Sequence, residues 1–162
     1  MDKSRPSRRN FLSAAGATGA AAVAAIGAVA IYQPSPEILW VGTGEGNPRN
    51  SMSVGNGIYK SIDGGATWQH LGLDKTERIH RIVLHPSDPN IAWVAAMGQA
   101  WGQNADRGVF KTTDGGATWR KTLFVDERTG AIDLVQHPSR PDVLYAAMKR
   151  AKDTMTSGWK TL

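Results

Sequence analysis

The 162-residue sequence predicts an all-β protein, a partial β-propeller of about two and a half four-stranded antiparallel blades. Three observations carry this reading. The segment GIYKSIDGGATW, starting at Gly57, recurs as GVFKTTDGGATW from Gly108. The segment HPSDPN from His85 returns as HPSRPD from His137, so two independent markers share a period of roughly fifty residues. Each full period holds four short runs of β-type residues bounded by Gly, Pro, Asn or Asp, which is the strand-and-turn pattern of one blade. No window after Ala30 sustains apolar residues at i, i+3, i+4 and i+7 without a Gly or Pro, so no helix is expected in the body.

The chain opens with a different kind of text. SRRNFLS, from Ser7 to Ser13, precedes the uncharged stretch AAGATGAAAVAAIGAVA from Ala14 to Ala30, which ends in the small-x-small triplet Ala28, Val29, Ala30. That layout is a signal peptide. Paired Arg8 and Arg9 followed by Phe11 and Leu12, with a weakly apolar Ala/Gly core, resemble the twin-arginine export signal. The expected division is a signal peptide over residues 1–30 and propeller blades over 31–162. The expected location is periplasmic or extracellular, with membrane contact only through the signal segment if it stays uncleaved. An uncleaved anchor is the alternative, because Leu12 to Ile31 barely reaches the roughly 20 residues a span needs.

In the complete central unit the strands are expected at about Ile79–Leu84, Ile91–Met97, Gly108–Thr113 and Thr118–Phe124. After each turn comes an apolar run, ILWVGT from Ile38, IAWVAAM from Ile91 and VLYAAM from Val143, which brings Trp40, Trp93 and Tyr145 into register. With the signal removed, the body is expected to enter at a second strand. SGWKTL from Ser157 reads as the opening of a further GIYKS-type unit.

The repeated residues read as structural. Asp63 and Asp114 can accept hydrogen bonds from amides of their own turns, Ser61 and Thr112 can add a hydroxyl, and the Gly65 and Gly116 regions can take the positive φ such turns need. Trp68 and Trp119 are expected to pack over their own turns. One Asp and two Gly offer too few oxygen ligands for calcium, so no metal is expected. His85 and His137, each before Pro and once per unit, read as turn formers rather than acid-base residues.

In a four-stranded antiparallel blade the chain reverses at every turn. The His-Pro turns and DGG turns therefore share one side, and the irregular loops share the other, where a binding site would be sought. Those loops, with the first strands lining the channel, supply the binding candidates Glu45, Asn47, Arg49, His80, Arg81, Trp101, Asn104, Arg107, Asp126 and Arg128. For a two-carboxylate hydrolase Glu45, Asp106, Asp126 and Asp133 can be nominated, no spacing singling out a pair; Glu45 and Asp133 are carried as weak catalytic candidates. GTGEG from Gly42 lacks the Lys and following helix of a phosphate cradle.

Composition removes other classes. With no Cys there is no disulfide framework, thiolate metal site or Cys nucleophile. The net charge of +5 includes Lys3, Arg5, Arg8 and Arg9 against Asp2 at the N-terminus, so the body is close to neutral and no nucleic-acid partner is expected. No cofactor is implied.

SIDGGATW and TTDGGATW match S/T-x-D-x-G-x-T-W, the Asp-box or BNR motif. Together with WVGTGEGNPRNS from Trp40 and LFVDERTGAIDLV from Leu123, the body resembles exported bacterial Asp-box proteins related to the sortilin N-terminal propeller, often called glycosyl hydrolase, BNR repeat. The resemblance implies either a non-catalytic module binding protein, peptide or glycan, or part of a sialidase-like or endoglucanase-like glycoside hydrolase. A sialidase-type site would use a Tyr nucleophile. Tyr59 and Tyr145 instead hold positions shared with Phe110, Trp93 and Trp40, and Tyr32 abuts the expected cleavage point, which favours binding. A ring needs about 4 to 8 blades. The chain is thus expected to be a piece of a larger propeller or to complete its sheets by self-association.

Overall fold

The computed structural model describes residues 26–46 and 53–151. Three antiparallel sheets follow one another along the chain. The first has β1 (Ile26–Ile31), β2 (Leu39–Thr43), β3 (Ile58–Ser61) and β4 (Gln69–His70) in sequential order. The second repeats that order with β5 (Ile79–Leu84), β6 (Ala92–Ala96), β7 (Gly108–Thr112) and β8 (Arg120–Leu123). The third pairs β9 (Thr129–His137) with β10 (Arg140–Arg150). The protein is all-β and a partial propeller; its single helical turn among the described residues is a 3-10 segment at Asp74–Thr76.

β2 and β6 are buried along their whole length, and the second sheet packs against a neighbouring sheet on each face. Trp40, Ile58, Ile79, Ile82, Val94 and Phe110 form one buried cluster between the first and second blades. Trp93, Ala95, Val109, Ala131 and Leu134 form the next, between the second and third. Trp40 and Trp93 are 0% and 4% exposed, whereas Tyr145, which holds their register in the third blade, is 60% exposed. The aromatic at this position is a plug that the following blade covers. Each burial removes an aromatic surface worth about 2 kcal/mol or more from water.

The expectation that the body enters at a second strand assumed a cut at Ala30; in the structure Ile26–Ile31 takes the first-strand position of the first blade, paired with β2 from Ile26↔Thr43 to Ile31↔Leu39. The expected boundary at Ala30 therefore falls inside β1. All three first strands carry an irregularity at the same place. Gly27 is left between the pairs Ile26↔Thr43 and Ala28↔Gly42, His80 between Ile79↔Ala96 and Arg81↔Ala95, and Ile132 between Ala131↔Met148 and Asp133↔Ala147. A bulge of this kind bends the strand where it turns toward the next element.

Candidate functional site

Connections sort onto two sides. On one lie the DGG turns, each hooked to the first turn of its own blade: Gly64 N–H donates to Glu37 O (2.9 Å) and Gly115 N–H to Asn90 O (2.9 Å). Within each turn the side chains close a ring of bonds. Asp63 Oδ1 accepts from Thr67 N–H (2.9 Å) and from the Ser61 hydroxyl (2.7 Å), its Oδ2 accepts from the Thr67 hydroxyl (2.6 Å), and Gly65 N–H donates to Ser61 Oγ (2.8 Å). Thr112, Asp114, Gly116 and Thr118 repeat the same four bonds in the second blade. Gly65 and Gly116 have φ of 92° and 98°, a region that side chains with a Cβ rarely adopt. Hydrogen bonds to the charged form, led by the Thr67 hydroxyl, hold Asp63 at a pKa of about 2, and those led by the Thr118 hydroxyl hold Asp114 still lower.

The two tryptophans of these turns behave differently. Trp68 donates its indole N–H to Gly65 O of its own turn (3.1 Å). Trp119 instead donates to Leu71 O (2.8 Å), in the preceding blade, and meets the Trp40 ring edge-on at 6.3 Å. The expected packing of Trp119 over its own turn is thus corrected: it joins two blades. A cavity of about 320 Å³ lined by Lys111, Thr113, Thr118, Trp119 and Arg120 lies beside this second turn.

The opposite side gathers the irregular loops, and its centre is Arg107. This side chain is fully buried. Its guanidinium donates to four backbone carbonyls: Nε to Glu127 O (2.8 Å), Nη2 to Gln99 O (2.7 Å) and Gly102 O (3.0 Å), and Nη1 to Met97 O. Five donors in a rigid fork suit this role better than any other side chain could. Arg107 therefore ties the 97–107 loop into a closed turn and fastens it to the chain entering the third blade. It is not available to a ligand, which corrects its place among the binding candidates. Asn104 serves the same joint, donating N–H to Glu127 O (2.8 Å) and accepting from Asp106 N–H (2.7 Å).

Arg78 is a second buried cation of this side. It is 5% exposed, and its Nη1 donates to Gly98 O (3.3 Å) and to Glu77 Oε2 (3.2 Å). Arg78 and Arg107 each precede a buried strand start, Ile79 and Gly108, and that position is the sequence signal that could have marked both. His80 is half-buried next to Gly46, and its Nε2 is buried without a hydrogen-bond partner. Burial first, then the cations Lys149 and Arg78, push its pKa down, so the imidazole is neutral near pH 7.

The remaining candidates are spread rather than convergent. Arg81 and Asp133 stand on successive first strands and pair across the channel wall at 3.2 Å, each about half exposed. The two charges of this pair neutralise one another in place. Asp126 accepts from Arg128 N–H (2.7 Å), and that amide is the leading cause holding its pKa down. Glu45 accepts from Ser53 N–H at 3.4 Å, while Arg128 and Trp101 are half-buried at the rim. Asn47 and Arg49 lie outside the described residues. Among the described residues there is no group of three or more His, Asp or Glu placed to hold a metal ion, and no helix long and apolar enough to cross a membrane.

No family model matches the sequence, and no curated protein matches it. Solved structures do. An ancestral GH74 enzyme superposes with a TM-score of 0.53 at 19% identity, over 75% of this chain and 16% of that one. A GH74 enzyme from Niastella koreensis superposes with a TM-score of 0.53 at 25% identity, over 76% of this chain and 17% of that one. The chain thus spans about a sixth of the length of these neighbours. What they share with it is the blade architecture.

Proposed function

We propose that this chain contributes consecutive blades to an exported propeller whose loop side binds glycan or peptide, without supplying the acid and base of a hydrolase itself. The observation that carries this reading is the pairing of the catalytic candidate Asp133 with Arg81 at 3.2 Å. A glycosidase acid must instead be held protonated near neutral pH, usually by burial or a neighbouring carboxylate, which a paired cation opposes.

A second reading has its own support: both structural neighbours are GH74 enzymes, so the blades could belong to a glycoside hydrolase in which Glu45 or Asp133 supplies a reacting group. The two readings separate in one experiment. The purified chain is incubated with a panel of polysaccharides, following reducing ends, and is displayed against glycan and peptide arrays. Retention on an array without product supports the binding role. Product that disappears in Glu45→Gln or Asp133→Asn would favour the hydrolase. Export by the twin-arginine route rests on Arg8 and Arg9; their replacement by Lys is expected to keep the protein inside the cell, read by fractionation.

A further inference from the structure

We propose that the export signal is cut on the N-terminal side of Ile26, at the Ala24–Ala25 peptide bond, and that Ile26–Ile31 belongs to the mature fold. This rests on the export reading above and adds to it a processing site. By sequence alone the triplet Ala28, Val29, Ala30 marks a cut after Ala30, and such a cut would remove five of the six residues of β1.

The structure argues against that cut on three counts. Residues 26–31 occupy the first-strand position of the blade repeat, with the same bulge that β5 and β9 carry: Gly27, His80 and Ile132 are equivalent. A segment that reproduces the repeat's irregularity as well as its pairing is a blade strand. Gly27 is also fitted to its place, because a Cβ there would overlap the backbone carbonyl oxygens of Ile79 and Gly44. Ala28 and Ala30 pack against the buried cluster between the first two blades, next to Trp40 and Ile79.

The bond after Ala30 is moreover held inside a ladder. Ala30 pairs with Trp40 and Ile31 with Leu39. A signal peptidase takes its substrate as an extended single strand, and a twin-arginine substrate folds before the signal is removed. The Ala30–Ile31 bond would have to be peeled from β2 first, leaving the row of β2 backbone groups unpaired at a sheet edge. Upstream, in residues outside those the structure describes, Ala22, Val23 and Ala24 form the last small-x-small triplet of the sequence before β1. Hydrolysis there adds one water across the Ala24–Ala25 bond, leaving a carboxylate on Ala24 and the new amino terminus on Ala25, one residue ahead of the strand.

The test is the intact mass and N-terminal sequence of the full chain recovered from outside the cytoplasm of a host with a twin-arginine system. A chain beginning at Ala25 is expected. One beginning at Ile31, or an exported chain with its original N-terminus, overturns the cleavage proposal while leaving the export reading standing. A chain found only inside the cell overturns both. Ala24→Leu changes a residue ahead of β1 and is expected to abolish the processed form with export retained. Unchanged processing in that variant would refute the site.

Discussion

Replacing Arg107 with Met keeps most of the side-chain volume and removes the fork that binds four carbonyls. Hydrogen bonds from a charged donor contribute about 1.5–3 kcal/mol each when measured singly. They are not additive, and the guanidinium bears a desolvation cost because no carboxylate touches it; Glu77 and Asp126 act on it only at longer range. The net loss is therefore set near the upper range for single substitutions, about 3–5 kcal/mol. For a domain of this size that corresponds to a fall in Tm of about 6–20 °C. Urea and thermal melts of the wild-type chain, Arg107→Met and Arg107→Lys measure it, with Lys expected to recover only part because an ammonium cannot span four acceptors. Limited proteolysis supplies a local readout, since the 97–107 loop is expected to become the first site of cutting. A loss below about 1 kcal/mol, with the loop still protected, would refute the view that this buried arginine organises the loop side.

Three further outcomes are expected. Asp63 and Asp114 have folded-state pKa values depressed below the unfolded one, so their contribution is present above about pH 4 and is lost as pH falls through the folded values, near 2 for Asp63 and lower for Asp114; acid titration followed by tryptophan fluorescence should show the turns persisting below pH 4, and release at pH 5 would contradict the bonding pattern. Trp119→Phe removes the indole bond to Leu71 O between blades and should cost about 1 kcal/mol by urea melt, with a preserved midpoint counting against an inter-blade role. Arg81→Ala opens a half-exposed ion pair and should change stability by no more than about 1 kcal/mol, so a larger loss would mean that the channel wall depends on it.

The fold was legible in the sequence to the extent that its determinants are local. Each DGG turn closes on itself between positions two and four apart, as Asp63 does with Ser61 and Thr67, so twelve residues suffice to specify it and its recurrence reveals the period. Apolar runs between turns mark the strands for the same reason, and the expected Ile79–Leu84 strand agrees residue for residue with β5. Loop-side chemistry was not legible in this way. Arg107 looked like a free cation, and only the arrival of Glu127 and Met97 around it, 20 and 10 residues away, makes it a buried scaffold. Trp119 looked like its twin Trp68, yet the carbonyl it finds belongs to a blade 48 residues earlier.

Ile26–Ile31 shows the division most sharply. Its Ala- and Gly-rich text reads as the tail of an export signal, because small residues satisfy a peptidase and a crowded first strand equally well. Local sequence therefore determined the repeat, its turns and its strand order, whereas tertiary structure decided which polar groups are buried and that β1 is part of a blade. The physical reason is the range of the interactions: turn bonds and strand periodicity are set within a few residues, while burial and sheet pairing depend on which distant backbone comes to lie alongside.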